Sequence, residues 1–512
     1  MTGEPLSGTS ASDARKRDPV SGSVEGSTSL NRMNSNNRGE KNMVRSERSA
    51  RPRSGKTMRA AAALVAAVAL VAAGCGNSDG ESADDTETTK APATTTAEGT
   101  ETTGAATPIT GVPGVTDTEI KFASFGTISN NPLGTCVLEC FNRGVKAYFA
   151  YRNSEGGVDG RQLVLTSELD DQLSKNKERA LEIVSAGDTF GAFSAAQIGT
   201  GWQDVAAAGM PLYVWNISPA DAANDAIFGF PQGTICVDCP RQINGMIIKE
   251  AKATKIAVLG YGVSENSKVS AQAVQRAVET YSDDIGGAEV VYFNDDIAFG
   301  VPNGLGPEVT AMKDKGVDLV FGSIDLNAMK TLAQEMARQG MGDVPMVHAN
   351  TYDQKFVKEA GDLFEGDFVS VQFRPFEAEA GDSDLDLFKE WVSKDGNDPV
   401  ELAYFGWIAA RAAHDGIVAA GPQFDQAKVI AASNETLNDY TAGGLIPPQD
   451  YGRSHTVPTV DTLDQFGNKT NCSSVVKVKG GEFEVLGDAA KPFFCWPGDT
   501  VEWSEPEQTD FK

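Results

Sequence analysis

From about Val115 onward the chain alternates short apolar runs with longer amphipathic stretches, and this alternation fixes the fold class. Residues 120–124, 163–166, 191–194, 212–215, 256–260, 289–293, 319–322, 346–348 and 368–373 read as strands. In 173–185 the apolar positions Leu173, Ala180, Leu181 and Val184 share one helical face, and in 326–339 Met329, Leu332, Ala333 and Met336 do the same. Regular exchange of strand and helix predicts parallel sheets covered by helices on both faces. Roughly ten such units over about 390 residues exceed one doubly wound sheet, so two α/β lobes are expected.

The stretch from Phe141 to Asp171 is the most explicit of these units. Phe141, Val145 and Phe149, with Tyr148 alongside, make a buried helical face. Asn153-Ser154-Glu155-Gly156-Gly157 stops the helix, because glycine adopts the positive φ that a helix C-cap needs. Val158-Asp159-Gly160 then reads as a turn and Leu163-Val164-Leu165 as a strand. Later, 402–416 and 426–438 read as helices, and the chain from Gly443 is rich in turn residues. Residues 473–479 and 483–486 alternate like a hairpin around Gly480-Gly481.

Ahead of this region, 60–74 is the long apolar run, with Arg51, Arg53, Lys56 and Arg59 before it. At 15 residues it falls short of the roughly 20 that a bilayer span needs, and its charged leader and small-residue end match an export signal. Ala72-Ala73-Gly74-Cys75 resembles a bacterial lipobox, with Ala72 where Leu is usual, so Cys75 is the expected lipidation site. A leader of this length is unusual, and a start at Met43 or Met58 is an alternative within 1–74. Residues 75–113, rich in Thr, Glu, Asp and Ala, bury too little apolar area to order themselves and read as a disordered tether. The expected location is the outer face of the cell membrane, held by lipid alone. With 44 basic against 71 acidic side chains the net charge is −27, which repels phosphate backbones and argues against a nucleic-acid partner.

Several stretches together resemble the type I periplasmic binding proteins, in their branched-chain amino acid (leucine/isoleucine/valine) branch of ABC-transporter solute receptors. Gly114-Val115-Thr116-Asp117-Thr118-Glu119-Ile120-Lys121 is similar to that family's entry to its first strand. NSEGGVDGR, from Asn153 to Arg161, matches its Asn-x-x-Gly-Gly-x-x-Gly-Arg/Lys turn. Ala207 to Leu212, Glu359 to Gly366 (EAGDLFEG) and Val476 to Phe483 (VKVKGGEF) follow in the family's order, over about 114–486. The resemblance implies two Rossmann-like lobes joined by three crossovers, near 228–232, 368–374 and 444–451, with ligand enclosed between them. On that layout lobe 1 is 114–230 plus 370–448, and lobe 2 is 231–369 plus 449–505. It also implies a permease and an ATPase encoded separately, and no cofactor.

In open α/β sheets ligands sit beyond the carboxyl ends of strands, so residues just after strand ends are the candidates. In lobe 1 these are Thr127, Ser129, Asn130, Ser194, Ala195, Gln197, Trp215, Asn216 and Ser218; in lobe 2 they are Tyr261, Asp325, Asn350 and Tyr352. By the resemblance, Ser194 and Ser218 suit a carboxylate. The family's lobe-2 Glu, which takes the ammonium group, is replaced by Ala349 or Asn350, leaving Asp325 or Asp353 for that role. An amino acid, an amide, another carboxylate or a more apolar solute all remain open.

Six cysteines follow Cys75: Cys136, Cys140, Cys236, Cys239, Cys472 and Cys495. In an exported chain they point to disulfides, with Cys472 and Cys495 flanking the closing hairpin and pairing with each other. The other four allow local or crossed pairing, and a zinc site is disfavoured by an oxidising compartment and only 3 His. Enzyme motifs are missing or incomplete. Gly262-Val263-Ser264-Glu265-Asn266 lacks the last glycine of a nucleophile elbow, and Ser174-Lys175-Asn176-Lys177 has no companion motifs. His348 ends a strand near the expected cleft, whereas His414 falls within a helix. The reading is a solute receptor of an importer and not an enzyme; a ligand-sensing module of a signalling system is second, and a secreted hydrolase a distant third.

Overall fold

The computed structural model describes residues 108–131, 136–215, 221, 223–230, 236, 238–349, 351–394, 396–453 and 455–512, all within one body of the chain, 97–512. The signal run, Cys75 and the tether up to 107 lie outside these residues, as do the candidates Asn216, Ser218 and Asn350.

The first sheet has five parallel strands in the order β2-β1-β3-β4-β5: β1 (Glu119–Gly126), β2 (Gln162–Asp170), β3 (Gly191–Ala195), β4 (Leu212–Trp215) and β5 (Ile227–Phe230). Central β3 is buried at every position, as a strand covered on both faces must be. Helices α1 (Leu138–Ser154), α2 (Asn176–Ala186) and α3 (Trp202–Ala207) connect these strands.

The chain then leaves for a second sheet through α4 (Gln242–Ala251), β6 (Lys255–Tyr261), α5 (Glu265–Tyr281), β7 (Glu289–Ile297), α6 (Gly306–Lys315), β8 (Leu319–Ser323), α7 (Leu326–Gln339), β9 (Met346–His348), α8 (Gln354–Ala360) and β10 (Phe368–Val371). It returns to the first sheet with α9 (Leu385–Val392), α10 (Glu401–Ala420) and α11 (Gln426–Thr436), which pack with α1 and β4. It ends on the second sheet with α12 (Leu463–Phe466), β11 (Thr470–Lys479), β12 (Glu482–Val485), β13 (Phe493–Pro497) and β14 (Glu507–Thr509). The second sheet runs β14-β13-β11-β10-β9-β8-β6-β7, with β12 beside β11. It is parallel from β7 to β10 and antiparallel from β11 outward. The hairpin expected around Gly480-Gly481 is the antiparallel pair β11–β12. β12, β13 and β14 follow β11 without crossover helices, and they pair antiparallel to β11, β11 and β13 in turn.

The turn after α1 explains its sequence. Asn153 Oδ1 accepts the Leu163 N–H (2.8 Å) and its Nδ2 donates to the Leu163 carbonyl (2.9 Å), so one side chain serves as a strand partner. Gly157 has φ +71°, and a side chain there would run into the Arg161 carbonyl. Arg161, fully buried, donates from Nε to the Thr116 carbonyl (2.8 Å), fastening the turn to the entry of β1.

Helix α10 is apolar on several faces, with Ala403, Tyr404, Phe405, Trp407, Ile408 and Ala413 among its buried residues. A helix of that character has to be enclosed, and α10 lies between α1 and α11. Its crossing with α1 is close because Gly144 faces the Ala403 carbonyl and Gly406 faces the Phe141 carbonyl. Gly144→Ala is expected to destabilise the fold by about 1–3 kcal/mol through overpacking. An unchanged urea midpoint would show that the helices separate freely.

The six described cysteines form three disulfides: Cys136–Cys140, Cys236–Cys239 and Cys472–Cys495. Pairing is thus local for the first two. Cys472 and Cys495 face each other in register across β11 and β13.

Candidate functional site

A cleft of about 300 Å³ opens where the carboxyl ends of both sheets meet. Gln197 follows β3 and Trp215 ends β4; Tyr261 ends β6, Ser323 and Asp325 end and follow β8, His348 ends β9, and Gln372 follows β10. This is the position that the strand-end argument requires in open parallel sheets. Helix α10 adds Glu401, Leu402 and Phe405 from its first turn, and Arg241, Asn244 and Phe299 complete much of the wall.

The second-sheet wall is held by its own hydrogen bonds. The Ser264 hydroxyl caps α5 by accepting the Ser267 N–H (3.3 Å). Ser267 Oγ accepts the Tyr261 N–H (2.6 Å) and donates to the Ser323 carbonyl, so the ends of β6 and β8 are tied together. Asp325 caps α7 by accepting the N–H groups of Asn327 (2.9 Å) and Ala328 (3.2 Å) on Oδ1, and its other oxygen accepts the Tyr261 hydroxyl. Burial, with that bond, pushes the Tyr261 phenol far above its usual range, so it stays a donor.

Three further ionisable groups, His348, Glu401 and Arg241, border the cleft. His348 Nε2 lies 2.8 Å from Asp367 Oδ2, both side chains almost fully buried, and among the described residues its Nδ1 has no partner. Burial raises the Asp367 carboxyl against the lowering effect of His348. Glu401 is pushed up to about 8 by burial and by the negative charge of Asp353. Burial lowers the Arg241 guanidinium, which also borders a cavity of about 40 Å³ beside Cys236 and Cys239.

Of the candidates read from strand ends, Gln197, Trp215, Tyr261 and Asp325 line this cleft. Ser129, Ser194 and Tyr352 do not. Ser194 is fully buried and accepts the indole N–H of Trp202 (2.8 Å). Ser129 is held by Asp170 at the end of β2, its hydroxyl (2.5 Å) and its N–H (3.1 Å) both donating to that carboxylate. Thr127 accepts the Gln197 N–H (3.1 Å) and donates to Asp171 (3.3 Å), so it supports the wall from behind. Tyr352 is buried among Phe373, Phe376 and Phe483 and donates to Glu377 (2.6 Å). Asp353 caps α8 through the Phe356 N–H (2.7 Å) and lies outside the lining. Glu401 is not a strand-end residue, and the signal for it in the sequence is an acid four residues before an aromatic at a helix start.

Among the described residues no group of His, Cys, Asp and Glu is arranged to hold a metal ion, and no helix is long and apolar enough to cross a membrane.

Three comparisons bear on this architecture. The structure is similar to a branched-chain amino acid transporter substrate-binding protein of Streptococcus pneumoniae in complex with isoleucine, at 16% identity and TM-score 0.53, covering 72% of this chain and 99% of that one. It is similar to a branched-chain amino acid ABC transporter protein of Thermus thermophilus with bound valine, at 17% identity and TM-score 0.53, over 72% and 96% of the two chains. It is equally similar to a fatty acid ABC transporter substrate-binding protein of Thermomonospora curvata, at 18% identity and TM-score 0.53, over 78% and 98%. At these identities the likeness is one of fold. No curated protein matches the chain. The family profile described as Periplasmic binding protein matches residues 134–482, more than half of the sequence, and the chain belongs to that family.

Proposed function

We propose that the chain is the extracellular solute-binding receptor of an ABC importer. It captures a small solute in the cleft and presents it to a membrane permease whose ATPase is a separate subunit. The observation that carries this reading is the cleft itself, built from strand ends of both sheets and from α10. Two of the fold relatives are described with isoleucine or valine bound, which supports a small-solute role.

Mechanistically, 114–230 with 370–448 act as one lobe and 231–369 with 449–505 as the other. Solute first meets one wall. The closed form is then selected because it adds contacts from the second wall, and it is this form that docks on the permease. Binding needs no catalytic step. A lipidated Cys75 would hold the receptor at the outer face of the membrane.

The test is a thermal-shift screen of the purified chain against amino acids, amides, amines and small carboxylates, followed by calorimetry on the strongest hit. Trp215, partly exposed and in the cleft wall, is the informative variant. Trp215→Ala is expected to weaken that hit by about tenfold or more, the effect of losing one aromatic anchor in a binding site, with little change in melting temperature. Undiminished affinity would remove this cleft as the site.

A further inference from the structure

We propose that the cleft takes a small organic cation, an ammonium group on an apolar body, with the Glu401 carboxylate as counter-charge and the Phe405 and Trp215 rings as its apolar wall. The inference rests on the receptor reading above and narrows its ligand.

Glu401 and Phe405 stand at i and i+4 on α10, so they share one face of the helix, and that face lines the cleft. Phe405 packs against Trp215 (ring centroids 6.4 Å) and Phe373 (5.5 Å), and Tyr261 packs against Phe299 (5.1 Å) on the facing sheet. All five rings border the cleft. Aromatic faces are electron-rich and attract a cation that has shed water, whereas they repel an anion.

The charged groups around Glu401 divide unequally. Asp325 already accepts the Tyr261 hydroxyl and two helix N–H groups, and His348 faces Asp367. Arg241 is shared with the smaller cavity beside Cys236 and Cys239. Asp353 adds negative charge. Among the described residues no cation pairs with Glu401, and burial and Asp353 raise its carboxyl to about 8. An acid held this way is unsatisfied when ionised, and a bound cation would supply what the protein omits.

The sign of the pH dependence separates this from carboxylate binding. A cation selects ionised Glu401, so its affinity should rise with pH up to about 8 and then level off. A carboxylate would select protonated Glu401 and weaken above the same pH. Benzyltrimethylammonium, whose charge does not titrate, is the probe for calorimetry between pH 6 and 9, with 3-phenylpropionate and L-leucine titrated in parallel. The expected result is affinity for the cation that increases about tenfold per pH unit at the acid end, and a loss of about tenfold or more, with a flat profile, in Glu401→Gln. Should that variant unfold, the pH profile of the unaltered chain decides alone. Binding of either parallel probe with the cation inert overturns the cation class and leaves the receptor reading standing. Silence from all three probes also overturns the cation class, and if the wider screen is silent as well the receptor reading falls with it. Cation binding that ignores pH and is unaffected by Glu401→Gln removes Glu401 from the site and overturns the proposal.

Discussion

Trp407→Ala is expected to lower the free energy of unfolding by about 3–5 kcal/mol, as large-to-small aromatic changes in well-packed cores do. Trp407 is completely buried on α10. Its ring meets Tyr148 edge-on at 5.0 Å and Tyr151 in a stack at 6.0 Å, both from α1, and Phe388 of α9 edge-on at 5.8 Å. Truncation therefore removes the transfer free energy of an indole and leaves a void shared by three helices. The Gly144–Gly406 crossing stops those helices from moving closer to fill it, since their backbones already touch there. Urea denaturation checks the prediction. A loss under about 1 kcal/mol would mean that the site collapses, against the rigidity argued from the crossing. Solute affinity should be unchanged, because Trp407 does not line the cleft.

Arg374→Met should cost about 3–5 kcal/mol, the range for removing one partner of a buried ion pair. Arg374 has no exposed side-chain surface. Its guanidinium donates to the carbonyls of Gly444 (3.0 Å), Glu379 (2.7 Å) and Phe511 (3.1 Å) and to the Asp510 carboxylate. One side chain thus joins the segment after β10, the loop near Gly444 and the end of the chain. Methionine keeps much of the volume, so the expected loss comes from three carbonyls and a carboxylate left without their donor. Asp510→Asn, which keeps the geometry and removes only the charge, should lose less. Equal losses from both variants would assign the whole effect to the ion pair and contradict the role given to the carbonyls.

The apolar runs of central strands such as β3, β8 and β9 were legible because a strand buried on both faces leaves a continuous hydrophobic signature that little else produces at that length. β5 was not: Ile227-Phe228-Gly229-Phe230 is four residues long with a central glycine, and it looked like the crossover it precedes. β14 was missed because an edge strand needs no such signature, and β13, paired on both sides, because Phe493–Pro497 is short and ends in proline. Within the cleft, strand ends pointed to Gln197, Trp215, Tyr261 and Asp325 because topology alone puts such residues there. Ser194 obeyed the same rule and still turned away, since the Trp202 indole eight residues later holds its hydroxyl. Glu401 was beyond the rule. It reaches the cleft only because a helix from much later in the chain is laid across the first sheet.

That last arrangement has a consequence for how the protein comes into being. Helix α1 ends at Ser154, and the surface it is buried against begins at Glu401. Until the ribosome has added some 250 further residues, Phe141, Val145 and Tyr148 have only part of their native surroundings. Loop closure over that span is paid before the contact rewards it. The first sheet, although made first, is completed late.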